Sequence, residues 1–206
     1  MSNAARNEMQ EIQKLLNQLV GMVCSMPAEM QNAMREQLEP PPIVTDYLTG
    51  AYSRLFFYEV LRRETARADR DSTPLSLLMI DVDAFKLIND TFGHAVGNKV
   101  LAQVAKTIAD TARNTDFVFR CGADEFGIIL PGADLETAMR AAEKILHTVE
   151  TGQILKSLGY SGRVTVCIGL SEYRRGSHFE TLVAEAEQAL YTAQRASKNC
   201  ARAFIH

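Results

Sequence analysis

Two acidic pairs carry the first chemical signal in this chain. Asp81 and Asp83 close the apolar run Leu75 to Ile80, while Asp124 and Glu125 stand where two strand-like segments, Asp116 to Arg120 and Glu125 to Leu130, meet at a tight turn containing Gly122. Asp81 and Asp83 bracket one residue at the end of a buried strand, and their side chains are expected on opposite faces, so that only one serves a given site. If the turn lies beside the strand ending at Asp81, three acids from two segments converge. Converging carboxylates repel one another until a cation neutralises them, and hard oxygen ligands favour Mg²⁺, or Mn²⁺ in its place; Mg²⁺ usually keeps waters and binds substrate phosphates. Either pair alone reads as solvated turn acids.

The elements that must position these acids follow from periodicity. Residues 54 to 70 have a helical pattern, a charged turn follows at Asp69 to Pro74, and the strand Leu75 to Ile80 delivers Asp81 at its end. Gly93 to Arg113 is helical, with Val100, Leu101, Val104, Ala105 and Ile108 on one side; the two strands and their hairpin come next. A helix over Asp134 to Thr151, a strand over Arg163 to Leu170, a helix over His178 to Ala196 and a closing strand over Ala201 to Ile205 complete the pattern. The expected fold class is α/β, a mixed central sheet flanked by helices. Its 206 residues, 47% hydrophobic, suit one such core with an appendage.

That appendage is residues 1–42, and the main domain is expected over 43–206. Ile12, Leu16, Leu19, Val23, Met26 and Met30 form a helical stripe, Pro27 restarts it as a second short helix, and Pro40, Pro41 and Pro42 stop it. The opening Met1 to Ala4 reads as an expression scar. The stripe suits a dimerising stalk, the end of an upstream sensory region, or an arm packed on its own domain.

Composition removes several function classes. A net charge of -3 and a pI near 5.8 provide no general basic field for nucleic acid or an anionic membrane, so a phosphate ligand needs local groups or a metal. The apolar runs fall far short of the roughly 20 residues that span a bilayer. Cys24, Cys121, Cys167 and Cys200 have neither CxxC nor Cys/His ligand spacing, which argues against zinc and disulfide scaffolds and for a reducing cytoplasm. Cys121 and Cys167 read as buried small apolar residues, and His94 as a packed or hydrogen-bonded histidine.

The text around the acids is more specific. MIDVDAFKLINDTFGHAVGNKVL and RNTDFVFRCGADEFGIIL, with TDYLTGAYSR upstream and VTVCIGLSEY and ALYTAQRASKN downstream, resemble the GGDEF family in order and separation across residues 44 to 205. The resemblance implies a fold similar to the palm of nucleotide polymerases and adenylate cyclases. It also implies a diguanylate cyclase activity, in which two subunits each bind one GTP and join them into cyclic dimeric GMP with release of pyrophosphate. By the same resemblance, Asp81, Asp124, Glu125 and the Val82 carbonyl match the metal site. Asp124 also matches the acid tied to 3′-hydroxyl activation. Ala84, Phe85 and Lys86 match the turn whose amides meet the triphosphate, and Asn89 the guanine-reading position. Arg113 and Asp116 match the RxxD site at which the product inhibits.

Departures from the family pattern cluster around the GTP pocket. Ala123 stands at the second Gly of the signature beside the retained Gly122, and Asn98 stands where an Asp would accept from guanine N1–H and N2–H. Gln194, Ser197 and Lys198 replace Lys, Gly and Arg, which leaves Lys198 as the phosphate-directed charge there. Ser53 and Ala51 read as scaffold variation. The expected function is a diguanylate cyclase with weakened GTP recognition and product inhibition. The alternatives are a noncatalytic module that binds cyclic dimeric GMP or GTP, and a dimerising output scaffold.

Overall fold

In the computed structural model, the residues described are Gln18 and residues 44–205, so the helical stripe, the proline run and Cys24 lie outside them. The elements are β1 (Tyr52–Ser53), α1 (Arg54–Asp71), β2 (Leu75–Val82), α2 (Phe85–Phe92), α3 (His94–Thr111), β3 (Phe117–Arg120), β4 (Glu125–Pro131), α4 (Leu135–Thr151), α5 (Ile154–Ser157), β5 (Val166–Glu172), α6 (Phe179–Ala196) and β6 (Cys200–Ala203). One six-stranded mixed sheet runs in the order β1-β3-β4-β2-β5-β6. β2 pairs antiparallel with β4 and β5, while β1–β3 and β5–β6 are parallel. The expected α/β class is what the chain adopts.

β2 is central because both of its faces are apolar. Leu78, Ile80 and Val82 point into a core with α2, α3 and α4, whereas Leu75, Leu77 and Met79 point into a second core with α1 and α6. Burying a side chain of this size contributes about 1.5–3 kcal/mol, so a strand buried on both sides fixes its register firmly. Gly169 of β5 decides how close α6 comes: a Cβ there would overlap the backbone of Ala186 and Leu190. Local signals set the helix starts. Ser53 accepts from the Phe56 amide at 3.3 Å, and Asp134 from the Thr137 amide at 2.8 Å.

Three elements differ from the sequence reading. The segment after Asp83 is α2, a helix packed through Phe85 and Ile88, and Gly93 at φ 84° separates it from α3, which stops at Thr111. β1 is two residues long, and α5 four. Neither length carries a readable period.

Candidate active site

β2 and β4 lie side by side with Asp81 directly opposite Glu125 and Met79 opposite Gly127. Alternation therefore places Asp81 and Glu125 on the α1/α6 face, at the end where the β3–β4 hairpin turns. Backbone bonds hold that hairpin: the Cys121 and Gly122 amides both donate to the Glu125 carbonyl, at 2.8 and 3.2 Å, and the Val82 amide donates to the Asp124 carbonyl at 3.2 Å. Asp81, Val82, Asp124 and Glu125 thus meet at one junction of two segments.

Gly122 leaves room for the Glu125 carboxylate. A Cβ at this position would collide with Glu125 Oε2 and sit 3.1 Å from its Cδ, so any side chain displaces the carboxylate. Ala123 is different: it is exposed and lies outside the left-handed region, so its methyl group adds no backbone strain.

Asp81 reports the electrostatics of the junction. Burial first, then the Asp124 carboxylate, push its pKa up to about 6; Glu125 and Asp83 act in the same direction, and a hydrogen bond from Gln194 opposes them. Among the described residues, no three His, Cys, Asp or Glu side chains form a ready-made cage for an ion. Mg²⁺ does not need one, since it usually takes one or two carboxylates and completes its shell with waters and substrate phosphates. Mutually repelling carboxylates at a strand end fit that cation.

Asp81 and Asp83 do not take the opposite faces expected of them. Residues two apart on a strand share a face, and Asp83, one residue beyond the end of β2, still reaches Cys167, whose Cα lies opposite Asp81. Its carboxylate accepts from Thr165 Oγ1 at 2.7 Å, the Asn199 amide at 2.9 Å and Cys167 Sγ at 3.1 Å. Asp83 anchors the β5 and β6 ends, and Cys167, although buried, is a donor as well as a packing residue. Burial and the Asp83 carboxylate hold the Cys167 thiol up at about 12. Cys121, Cys167 and Cys200 are free thiols.

Ala84 has φ 55° and ψ 35°, a left-handed conformation that costs a non-glycine residue roughly 1–2 kcal/mol. It starts α2 with no side-chain cap, so the turn expected at Ala84, Phe85 and Lys86 is a helix N-terminus whose first amides point outward. Asn89 reaches across to α3, where its amide occupies the space that a Cβ on Gly97 would need. Asn98 is the next residue and is exposed, so the two candidate base-reading residues stand on facing helices.

Lys198 is exposed in the loop between α6 and β6, while Gln194, one turn earlier, faces Asp81 and favours its charged form. A count of charges alone misses that effect. Arg54, exposed at the first turn of α1, is a residue that the sequence does not single out; it faces Tyr58 and is within electrostatic reach of Glu125. His94 is exposed at the start of α3, so of the expected packed or hydrogen-bonded histidine the packed form is not what the chain adopts.

Arg113 and Asp116 sit at the far end of β3 from the hairpin, separated from it by about 13 Å of strand. They bind each other: Arg113 Nη2 lies 3.0 Å from Asp116 Oδ1, and the Arg113 amide donates to Asp116 Oδ2 at 2.8 Å. Asp116 is buried and Arg113 half-exposed.

Fold and junction define an α/β domain with acids gathered at the ends of adjacent sheet strands. Residues 43–200 match the family model described as diguanylate cyclase, GGDEF domain, and the chain belongs to that family. It is 38% identical over 164 residues to the diguanylate cyclase DosC of Escherichia coli strain K12, covering 80% of this chain and 36% of that protein. It is 37% identical over 158 residues to the response regulator PleD of Caulobacter vibrioides strain NA1000, covering 76% of this chain and 35% of that protein. The chain therefore spans about a third of these relatives. Among solved structures, the GGDEF domain of DgcB from Caulobacter crescentus, in complex with c-di-GMP, superposes with a TM-score of 0.76 at 31% identity, over 79% of this chain and 94% of that one. No helix among the described residues is long and apolar enough to cross a membrane.

Proposed function

We propose that this domain is a diguanylate cyclase that condenses two GTP into cyclic dimeric GMP and two pyrophosphates, with weakened recognition of GTP. The observation that carries the reading is the junction at which Asp81 faces Glu125, Asp124 is tied to Val82, and the Asp81 carboxyl is pushed up to about 6. Family membership supplies the reaction class.

The chain's own groups divide the work. The outward amides at the start of α2 receive the triphosphate, with Lys86 and Lys198 as nearby charges. Asn89 and Asn98 read the guanine edge, Asn98 less well than a carboxylate would. Asp124 takes the proton from the attacking 3′-hydroxyl. Asp81, Glu125, Asp124 and the Val82 carbonyl would hold Mg²⁺ or Mn²⁺, which when bound neutralises charge on the phosphates. Each 3′-hydroxyl attacks the α-phosphate of the GTP on a second subunit, so the active unit is a homodimer, and residues 1–42 are its candidate seam and the link to a sensory region. A substrate of this kind sets the domain in the cytoplasm.

Product inhibition at Arg113 and Asp116 belongs to the same proposal. Because the pair is closed on itself, a guanine must open it to use the Arg fork and the carboxylate. The competing reading, a noncatalytic binding module, has no comparable support, since the three acids and Gly122 are intact.

The test is turnover of GTP with Mg²⁺ by the parent chain and by Asp124→Ala and Glu125→Ala. Both variants are expected to remain folded and lose at least 100-fold in rate. Retention of most of the activity by both would remove the metal assignment.

A further inference from the structure

Arg120, the last residue of β3, reaches in two directions. Its Nη1 donates to both Asp46 oxygens, at 3.0 and 3.1 Å, and its Nη2 donates to the Ala123 carbonyl at 2.7 Å. The two side chains are only 16% and 19% exposed, which sets this pair apart from the solvated ion pairs of the helices. The Arg120 Nε is a buried nitrogen with no partner among the described residues. The guanidinium therefore sits where its two terminal nitrogens are satisfied, at the expense of the third.

Each end of this bridge is built. Asp46 closes a turn: its amide donates to the Ala51 carbonyl and its own carbonyl accepts from Gly50, both at 2.8 Å. Its Oδ1 also accepts from the Thr49 amide and hydroxyl at 2.9 and 2.7 Å. Burial alone would raise the Asp46 pKa; the bonds from Thr49 and Arg120 outweigh it and hold the carboxyl below the ordinary aspartate value. The turn is sewn to the sheet through Ser53, whose amide donates to the Val44 carbonyl at 2.8 Å and whose Cα lies opposite Arg120. At the other end, Ala123 precedes Asp124 and Glu125 in the hairpin.

We propose that Asp46 and Arg120 are positioning residues for the reaction: the guanidinium holds the hairpin through the Ala123 carbonyl, so the placement of Asp124 and Glu125 depends on the seating of residues 44–53. This inference rests on the diguanylate cyclase reading of the hairpin. Ile43 alone separates that segment from the run Pro40 to Pro42, so a displacement at Val44 to Asp46 is carried to the catalytic turn by the Arg120 side chain. The main-chain bond of Ala123 also explains why alanine serves here: the side chain takes no part in the contact.

The test uses Arg120→Lys and Asp46→Asn in the full chain. Lysine keeps the charge, but a single ammonium cannot reproduce a fork that reaches two partners. Amide hydrogen exchange at Cys121 and Gly122 is expected to speed up at least 10-fold in both variants, with α6 amides unchanged. The kcat for GTP turnover is expected to fall at least 10-fold, with KM for GTP within 3-fold of the parent and a higher Mg²⁺ concentration at half-maximal rate. A merely structural pair would instead speed exchange throughout the domain and lower kcat only in proportion to the folded fraction. Unchanged hairpin exchange overturns the brace, and faster hairpin exchange with parental kcat overturns its positioning role. A parent chain that makes no cyclic dinucleotide refutes the functional reading and the positioning role together, while the exchange comparison still decides whether the brace holds the hairpin.

Discussion

Replacing Asp81 with asparagine should stabilise the metal-free domain while abolishing its activity. Asp81 is half-buried, opposite Glu125 and near Asp124, and its pKa stands at about 6 against an ordinary 3.8. That difference corresponds to roughly 3 kcal/mol, which solvent screening at a half-buried site reduces to about 1–2 kcal/mol. The sign follows from linkage: between 3.8 and about 6 the folded state binds the proton more tightly, so this stability is present below the unfolded pKa and is lost as pH rises through about 6. At pH 8 the parent bears that cost and the uncharged asparagine does not. For a domain of this size Asp81→Asn should raise Tm by about 2–6 °C at pH 8 in a chelator, and the gain should vanish near pH 4. GTP with Mg²⁺ should stabilise the parent more than the variant. Thermal unfolding of both proteins from pH 4 to 8, with and without metal, reads all three effects. A variant less stable than the parent at pH 8 without metal, or a difference independent of pH, would refute the view of these acids as a repulsive cluster awaiting a cation.

Two substitutions in the signature should act oppositely. Gly122→Ala drives a Cβ into the Glu125 carboxylate and should lower kcat at least 10-fold, whereas Ala123→Gly, at an exposed residue without backbone strain, should change it less than about 3-fold. Asn98→Asp should restore a second acceptor for guanine, lowering KM for GTP about 5- to 50-fold in steady-state assays; an unchanged KM would separate this residue from the base.

Long elements were legible because their periods are. The stripe from Val100 to Ile108 and the apolar run of β2 each fix a face, and with them the sheet and the end at which Asp81 emerges. α2 was not legible although Phe85 and Ile88 carry a helical spacing, because its first residues resemble a phosphate-facing turn. In the structure that turn is the start of the helix. Side-chain partnerships across the fold were invisible for a physical reason. Arg120 and Asp46 are 74 positions apart, and the influence of Gln194 on Asp81 runs from α6 to β2, so no local pattern encodes either. The same holds for Asp83, whose partners Thr165, Cys167 and Asn199 lie on the β5 and β6 side of the sheet. Steric reasons were also hidden: the sequence presents Gly122 and Ala123 as equivalent small residues, yet only Gly122 lies under the Glu125 carboxylate.

The measurement that bears most directly on the central claim is the rate of cyclic dinucleotide formation from GTP and Mg²⁺ across a range of protein concentrations. Two GTP-loaded subunits must meet for each product, so the account predicts two pyrophosphates per cyclic dimeric GMP and a rate that rises faster than linearly with protein until the dimer saturates. Binding of GTP with no cyclic product at any protein concentration would contradict it.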